Sequence, residues 1–337
     1  MAVKMKRQAE LGERRIIEII QRHLDLMPNM PVPFGDDISA YEIDKKTVAV
    51  LKTDMLVDKT DIPPGMSLRQ AGRKAVVMNI SDFAAKGVKP RVALVSLGLP
   101  KDLKQTGLEE LAEGLNAGVR EYDCYVVGGD TGEASDIIVS VSLFGVARRD
   151  MLMLRSGAKP GDIVAVTGPF GKTSAGLRIL LNDLRVSPRL RKVLVESVLT
   201  PQARLKEGVA LSRARCVSAS IDSSDGLAWS LHELSHASNV GFLIDALPLA
   251  EEAERFAELH GLDAVKLALY GGEEYELVLT VKPECWVKAQ HVLNEAGGVL
   301  LPIGRVTSKM GLVLSRGGQR HVIEPKGYEH FMSAGVS

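Results

Sequence analysis

Residues 67–86 read SLRQAGRKAVVMNISDFAAK, with Leu68, Ala71, Ala75, Met78, Asp82 and Ala85 at alternating steps of three and four. That is the period of an α-helix turning one face to a core, and Ser67 is a natural N-cap. Asp82 falls on the apolar stripe. A buried carboxylate without a partner is costly, so this helix demands a cation or hydrogen-bond donors near its C-terminal end.

Upstream, Thr47 to Leu51 is β-branched and apolar, a buried strand that delivers Thr53 and Asp54 at its end. Before it, Ile16, Ile17, Ile20 and Leu24 suggest an amphipathic helix ending before Pro28. Pro28, Pro31 and Pro33 then lead into Gly35-Asp36-Asp37. Downstream, Val92 to Leu99 reads as a strand, and Thr106-x-x-Glu109 as a capping box opening a helix to about Glu121. Tyr125 to Val127 is a short apolar run feeding Gly128-Gly129-Asp130-Thr131 at a strand end or turn, and Ile137 to Val146 is a long strand. The charged stretch Arg148 to Asp150 marks a boundary between domains of residues 1–150 and 151–337. In the second, Gly161–Thr167, Val217–Ile221 and Tyr275–Val281 read as strands, and Leu227–Ala237 and Trp286–Ala296 as helices. Strands and helices do not alternate strictly, so the fold class is α/β and α+β.

Composition excludes several functions. The 42 basic residues balance 42 acidic ones, which removes the charge excess expected of a nucleic-acid or anionic-membrane surface. Aromatic residues make up 4%, too few for base-stacking platforms. The longest uncharged stretch, Ile137 to Ala147, falls short of the roughly 20 residues of a membrane span. The basic N-terminus, MAVKMKRQAELGERR, continues into a charged amphipathic pattern, unlike a signal peptide. Cys124, Cys216 and Cys285 are dispersed, which fits a reducing, cytoplasmic setting better than a disulfide framework or a zinc site.

The chemistry lies in acidic residues beside glycine or hydroxyls: Gly35-Asp36-Asp37, Thr53-Asp54, Gly128-Gly129-Asp130 and Asp222-Ser223-Ser224-Asp225-Gly226. Turns favour Gly and Asp for backbone reasons alone, so each by itself is more readily structural. Together with Asp82 they are the oxygen donors that hard divalent cations such as Mg²⁺ require. His232 and His236 are four apart but lack the HExxH frame of a zinc site, and an exposed helix face is the plainer account. Gly168-Pro-Phe-Gly171-Lys172-Thr173 ends like a P-loop, but Val166 stands where the first glycine belongs, so it reads as a turn opening a helix that contains Leu177 to Leu181. Ser223 and Ser224 have no histidine-based triad around them.

In order along the chain stand GDD (35–37), TDMLVD (53–58), NISDFAAKG (79–87), VVGGDT (126–131), RSGAKPGDIVAVTG (155–168), SIDSSDGL (220–227), GGEEYEL (271–277) and KGYEHF (326–331). This collinear series resembles the thiamine-monophosphate kinase family, of the superfamily that includes aminoimidazole ribonucleotide synthetase and selenophosphate synthetase. The resemblance implies an N-terminal α/β domain that binds ATP and metal and pairs in a homodimer, with a C-terminal α+β domain closing over the site. It implies Mg²⁺ ligands at Asp37, Thr53, Asp54, Asp82, Asp130, Asp222 and Asp225. ATP contacts fall at Gly129, Asp130, Arg155 and Ser224, and acceptor contacts at Asp61, Glu273 and Tyr328. The implied reaction is direct phosphoryl transfer from ATP to thiamine monophosphate, with no side chain as acid or base. Two positions depart from the family pattern: Lys52 replaces a Ser or Thr, and Asp61 stands where many members carry a substrate-facing His. An enzyme like aminoimidazole ribonucleotide synthetase and a non-catalytic nucleotide or thiamine-phosphate binder are the alternatives. No Cys lies near the N-terminus, which disfavours selenophosphate synthetase.

Overall fold

The computed structural model describes residues 12–329; the first eleven residues of the basic N-terminus, and His330 and Phe331 of KGYEHF, lie outside them. Helix α1 (Glu13–Gln21) precedes strands β1 (Ser39–Glu42) and β2 (Thr47–Val57), the short α2 (Asp58–Asp61), α3 (Leu68–Ala85), β3 (Pro90–Leu99), α4 (Gln105–Glu121), β4 (Tyr125–Glu133) and β5 (Ile138–Arg148). These strands form a five-stranded sheet in the order β1-β2-β5-β3-β4. All neighbours are antiparallel except β3 and β4, which run parallel around α4.

The chain then makes β6 (Ile163–Val166), α5 (Lys172–Asn182), α6 (Pro188–Leu199), α7 (Leu205–Ala214), β7 (Val217–Asp222), α8 (Leu227–Ser238), β8 (Gly241–Ile244), α9 (Glu251–His260), α10 (Ala264–Tyr270), β9 (Leu277–Val281), α11 (Trp286–Glu295), β10 (Leu301–Thr307), β11 (Leu312–Arg316) and β12 (Gln319–Val322). Their sheet has seven strands in the order β12-β11-β8-β10-β6-β9-β7. Among the described residues, no helix is long and apolar enough to cross a membrane.

Helix α3 is the centre of the molecule. Ser67 and Gln70 close a reciprocal capping box at its start, Ser67 Oγ accepting from Gln70 N at 3.2 Å and Gln70 Oε1 from Ser67 N at 3.0 Å. The helix packs on β2 and β5 of the first sheet, on β7 and β9 of the second, and on α4 and α7. A helix covered on several sides is buried nearly all round. Beyond the expected stripe, Gly72, Lys74, Val76, Val77, Asn79, Ile80, Ser81, Phe83 and Ala84 are buried too. The largest apolar cluster is therefore continuous across both sheets, joining Val48, Val141 and Ile80 to Leu205, Leu277 and Leu293.

Four local expectations are corrected. Strand β2 does not stop before Thr53 but runs to Val57, since Met55, Leu56 and Val57 continue the β-forming run and find partners along β5. Gly128 to Thr131 is no turn but part of β4, an edge strand held on β3. Helix α4 starts at Gln105 without a side-chain cap, and Gln105 Nε2 donates to Glu109 Oε1 instead. Helix α1 ends at Gln21, short of Leu24, because none of its residues is buried and no core extends it.

Candidate active site at the seam of the two sheets

Strand periodicity sorts the acidic residues. Along β2, Lys52, Asp54 and Leu56 face inward toward α3, while Leu51, Thr53 and Met55 face outward. At the other end of α3, Asp82 is buried on the last turn. Strand β7 runs into the seam and ends at Asp222. The Gly35-Asp36-Asp37 loop enters from the N-terminal side, with Gly35 at φ +91°, a conformation that side chains rarely adopt.

These elements bring Asp37, Asp82 and Asp222 together, all three buried, with one carboxylate oxygen from each within 4.8 Å of the others. Three cations stitch the cluster. Lys86 Nζ, fully buried, lies 2.7 Å from Asp36 and 2.8 Å from Asp37 and donates to Ser220 O at 2.6 Å. Arg155 Nε donates to Asp37 Oδ1 at 2.6 Å, its Nη1 reaches Gly35 O at 2.8 Å, and its backbone N–H donates to Asp36 at 2.9 Å. Lys52 Nζ bridges Asp82 at 3.0 Å and Asp54 at 3.2 Å. Ser81 Oγ donates to Asp222 Oδ2 at 2.6 Å.

The charges are unevenly matched. Burial would raise the Asp37 carboxyl, but Arg155 and Lys86 outweigh it and hold the pKa below the ordinary value. Burial, aided by Asp222, Asp54 and Asp37, pushes Asp82 well up despite Lys52. Asp222 is pushed up to about 7 by burial and by Asp37, against Ser81 and Lys52.

Asp222 has a measurable consequence in metal-free protein. Its carboxyl in the folded chain takes up a proton near pH 7, against an ordinary value of 3.8. Between those limits the folded state binds more protons than the unfolded one, so the Asp222 contribution to stability falls as pH rises, by roughly 4 kcal/mol at most. Asp222→Asn is expected to flatten that slope. Urea unfolding in chelator at pH 5 and pH 8 measures it, and equal slopes for both proteins would refute it.

The residues expected on the acceptor side gather along the turn that follows Asp222. Loop 271–276 lies against the Asp222–Gly226 turn: Tyr275 N donates to Ser223 O, and Glu273 N donates to Ser224 O. Glu273 and Tyr275 both take positive φ, 63° and 52°, strain that is retained only where surrounding contacts impose it. Tyr328 N donates to Asp225 O. Burial and the charges of Asp61 and Glu273 push the Tyr328 phenol up to about 12. Buried Lys74 links the group, with Nζ 2.5 Å from Glu273 and 2.8 Å from Asp61 O.

Two acceptor- and ATP-side expectations change in character. The Asp61 carboxylate is buried and accepts through Oδ2 from Val57 N at 2.7 Å and Thr60 Oγ1 at 3.0 Å, so it also fastens the β2–α2 junction. The Arg155 guanidinium is committed to Asp37, Gly35 and Glu233. Ser224 is exposed beside Asp225.

Thr53 and Asp130 stand apart from the cluster within one chain. Asp130 lies opposite Ser96, Ser96 opposite Ser140, and Ser140 opposite Met55, so it shares the outward face. Three strand spacings put β4 roughly 14 Å from β2. Thr53 Oγ1 is bonded on that face to Ser142 Oγ at 2.9 Å. Gly129 is also on β4, where a Cβ would lie 1.8 Å from Val95 O.

Sequence reasoning did not assign Asp36, Lys74 or Lys86. The signal was present: Lys74, Met78, Asp82 and Lys86 are spaced by four along one row of α3, and a lysine on a row turned to the core needs a buried anion.

The P-loop look-alike is closed. It opens α5 as expected, but Glu274 Oε1 takes the Gly171 and Thr173 amides at 2.6 and 3.2 Å, the donors a phosphate would need. Lys172→Ala is therefore expected to leave the KM for ATP within about twofold; a tenfold rise would restore the P-loop assignment. His232 Nε2 sits 2.9 Å from Ile323 O and His236 is exposed.

Comparison with known proteins bears on this geometry. The family profile described as AIR synthase related protein, N-terminal domain, matches residues 35–147, and that for the C-terminal domain matches 159–316. The thiamine-monophosphate kinase of Nitrosopumilus maritimus is 35% identical over 326 residues, covering 96% of this chain and 99% of that protein. This chain belongs to the thiamine-monophosphate kinase family. The kinase of Escherichia coli K12 is 35% identical over 302 residues, 88% of this chain and 91% of its own. A solved structure described as AaThiL complexed with AMPPCP and TMP superposes with a TM-score of 0.85 at 32% identity, over 97% of this chain and all of that one. Hydrogenase maturation protein HypE of E. coli, at 20% identity and TM-score 0.69 over 92% of this chain and 96% of its own, shares the fold.

Proposed function

We infer that this chain transfers the γ-phosphoryl group of ATP onto the phosphate of thiamine monophosphate, giving thiamine diphosphate and ADP. The observation that carries it is the buried Asp37–Asp82–Asp222 group beside the strained 271–276 loop, in a chain so similar to thiamine-monophosphate kinases.

The donors fit magnesium. All are carboxylate oxygens, which suit a hard cation. Asp37 Oδ2 is fully buried, with the Lys86 ammonium 2.8 Å away as its charge partner. Asp37, Asp82 and Asp222 would hold Mg²⁺, with Asp54 close to Asp82 through Lys52 and Asp225 as a further proposed ligand. Bound Mg²⁺ would offset charge on the donor and acceptor phosphates.

The protein's own part is positioning. Two unit charges ~4 Å apart repel by about 4 kcal/mol at an effective dielectric of 20, so the phosphates must be held together by cations. The acceptor phosphate, with a second pKa near 6, is largely ionised at neutral pH and needs no general base. Arg155 and Lys86 fix the Asp37 loop. Lys74 and Glu273 set the floor of the acceptor side, where Tyr328 offers an aromatic wall. Gly129, Asp130 and Ser224 remain our proposed ATP contacts. The division at residues 150/151 coincides with the change from one sheet to the other, and we retain it as a proposal.

A homodimer is part of this proposal. The outward face of the five-stranded sheet exposes Leu51, Met55, Leu94, Tyr125 and Val146, and β4 is exposed along its whole length. An apolar face beside an open strand edge is what a second copy would cover. Thr53 and Asp130 lie on it. A cytoplasmic setting agrees with three free cysteines.

Phosphorus NMR of the purified protein with ATP, Mg²⁺ and thiamine monophosphate tests the reaction. Growth of the thiamine diphosphate signal is expected; binding without turnover would refute the transfer.

A further inference from the structure

Lys52 sits on the inward face of β2 two residues before Asp54, so both side chains emerge on the same side of the sheet. Its ammonium lies 3.0 Å from Asp82 and 3.2 Å from Asp54, and its side chain is only 19% exposed. One cation thus already joins the strand carboxylate to the helix carboxylate. A divalent ion joining the same pair would need oxygens at about 2.0–2.1 Å, which excludes an ammonium from between them.

The charge of the whole network points the same way. Asp36, Asp37, Asp54, Asp82, Asp222 and Glu233 are tied together with Lys52, Lys86, Arg155 and Arg14. Six carboxylates against four cations leave a formal charge of −2. A single Mg²⁺ at Asp37–Asp82–Asp222 balances that remainder. Without Lys52 the remainder is −3, and the Asp54–Asp82 pair is open.

We propose that the Lys52 ammonium is a built-in cation of this site, standing in for one divalent ion between Asp54 and Asp82. This rests on the metal-binding reading of the aspartate cluster given above. It narrows the ligand set: Asp54 serves Lys52, and the divalent ion free to exchange with solvent is the one at Asp37, Asp82 and Asp222. Lys52 then contributes charge that chelators cannot remove.

The experiment counts Mn²⁺ bound to the full-length protein by electron paramagnetic resonance, without nucleotide, for wild type, Lys52→Thr, Lys52→Gln and Lys52→Arg. Circular dichroism confirms that each is folded. Lys52→Thr and Lys52→Gln are expected to bind one Mn²⁺ more per chain than wild type, or to bind it about tenfold tighter or more, since a like charge next to the ion has gone. Lys52→Arg keeps the charge and is expected to match wild type. If wild type binds Mn²⁺ and neither neutral variant differs from it, the role of Lys52 is overturned while the metal site stands. If no protein in the series binds Mn²⁺, the metal site and the role of Lys52 fall together. If only Lys52→Thr unfolds, Lys52→Gln still decides, because it keeps most of the side chain's length.

Discussion

Asp82→Asn is expected to lower kcat/KM for thiamine diphosphate formation on the order of 10³-fold while the chain remains folded. Asp82 belongs to the three-carboxylate group and also receives Lys52. Asparagine keeps the shape but removes the charge that would bind a divalent ion. The fold should tolerate it, because asparagine is nearly isosteric and removes a buried charge that burial and three neighbouring aspartates already penalise. Lys52 keeps Asp54 as its partner. Kinetics at saturating ATP and Mg²⁺, paired with a urea midpoint no lower than wild type, would establish the result. A folded variant with near-normal turnover would remove Asp82 from the mechanism.

Gly208→Val is expected to destabilise the protein by about 3 kcal/mol or more, by wedging two helices apart. A Cβ on Gly208 would lie 1.9 Å from Ala84 O, and one on Gly87 would lie 2.2 Å from Ser212 Cβ. Gly208 and Ser212, one turn apart on α7, therefore form the small-residue seat on which the end of α3 rests. That end carries Asp82 and Lys86, so activity should fall together with stability. Gly132→Ala is the control, since nothing lies within 4 Å of its Cβ position. The urea midpoint is expected to drop for Gly208→Val and stay within about 0.5 kcal/mol of wild type for Gly132→Ala. A Gly208→Val midpoint equal to wild type would show that α7 can shift freely.

Much of the frame was legible in residue order. The 3-and-4 spacing from Leu68 to Ala85 marked α3, and the runs at Val92–Leu99 and Val217–Ile221 fell on β3 and β7. Gly-rich segments were less legible. Gly128 to Thr131 has the composition of a turn, yet hydrogen bonds to β3 keep it extended, because ladder pairing outweighs weak intrinsic preference. Strand β2 was cut short for a similar reason, Lys52-Thr53-Asp54 lacking the apolar side chains that announce a buried strand.

The sequence by itself determined which oxygens this protein has to offer: the Asp residues of four separated motifs, and a carboxylate on an apolar helix face that required a cation. Their grouping was decided by tertiary structure. Alternation along β2 turns Asp54 inward and Thr53 outward, a separation that follows from strand geometry once the strand is known to continue. Seating α3 between two sheets buries Lys86 with Asp36 and Asp37 and sets buried Lys74 against half-buried Glu273, pairings between residues up to 199 positions apart. Ion pairing of this kind depends on distance through space and on the loss of water around the pair, and neither quantity is encoded in local periodicity.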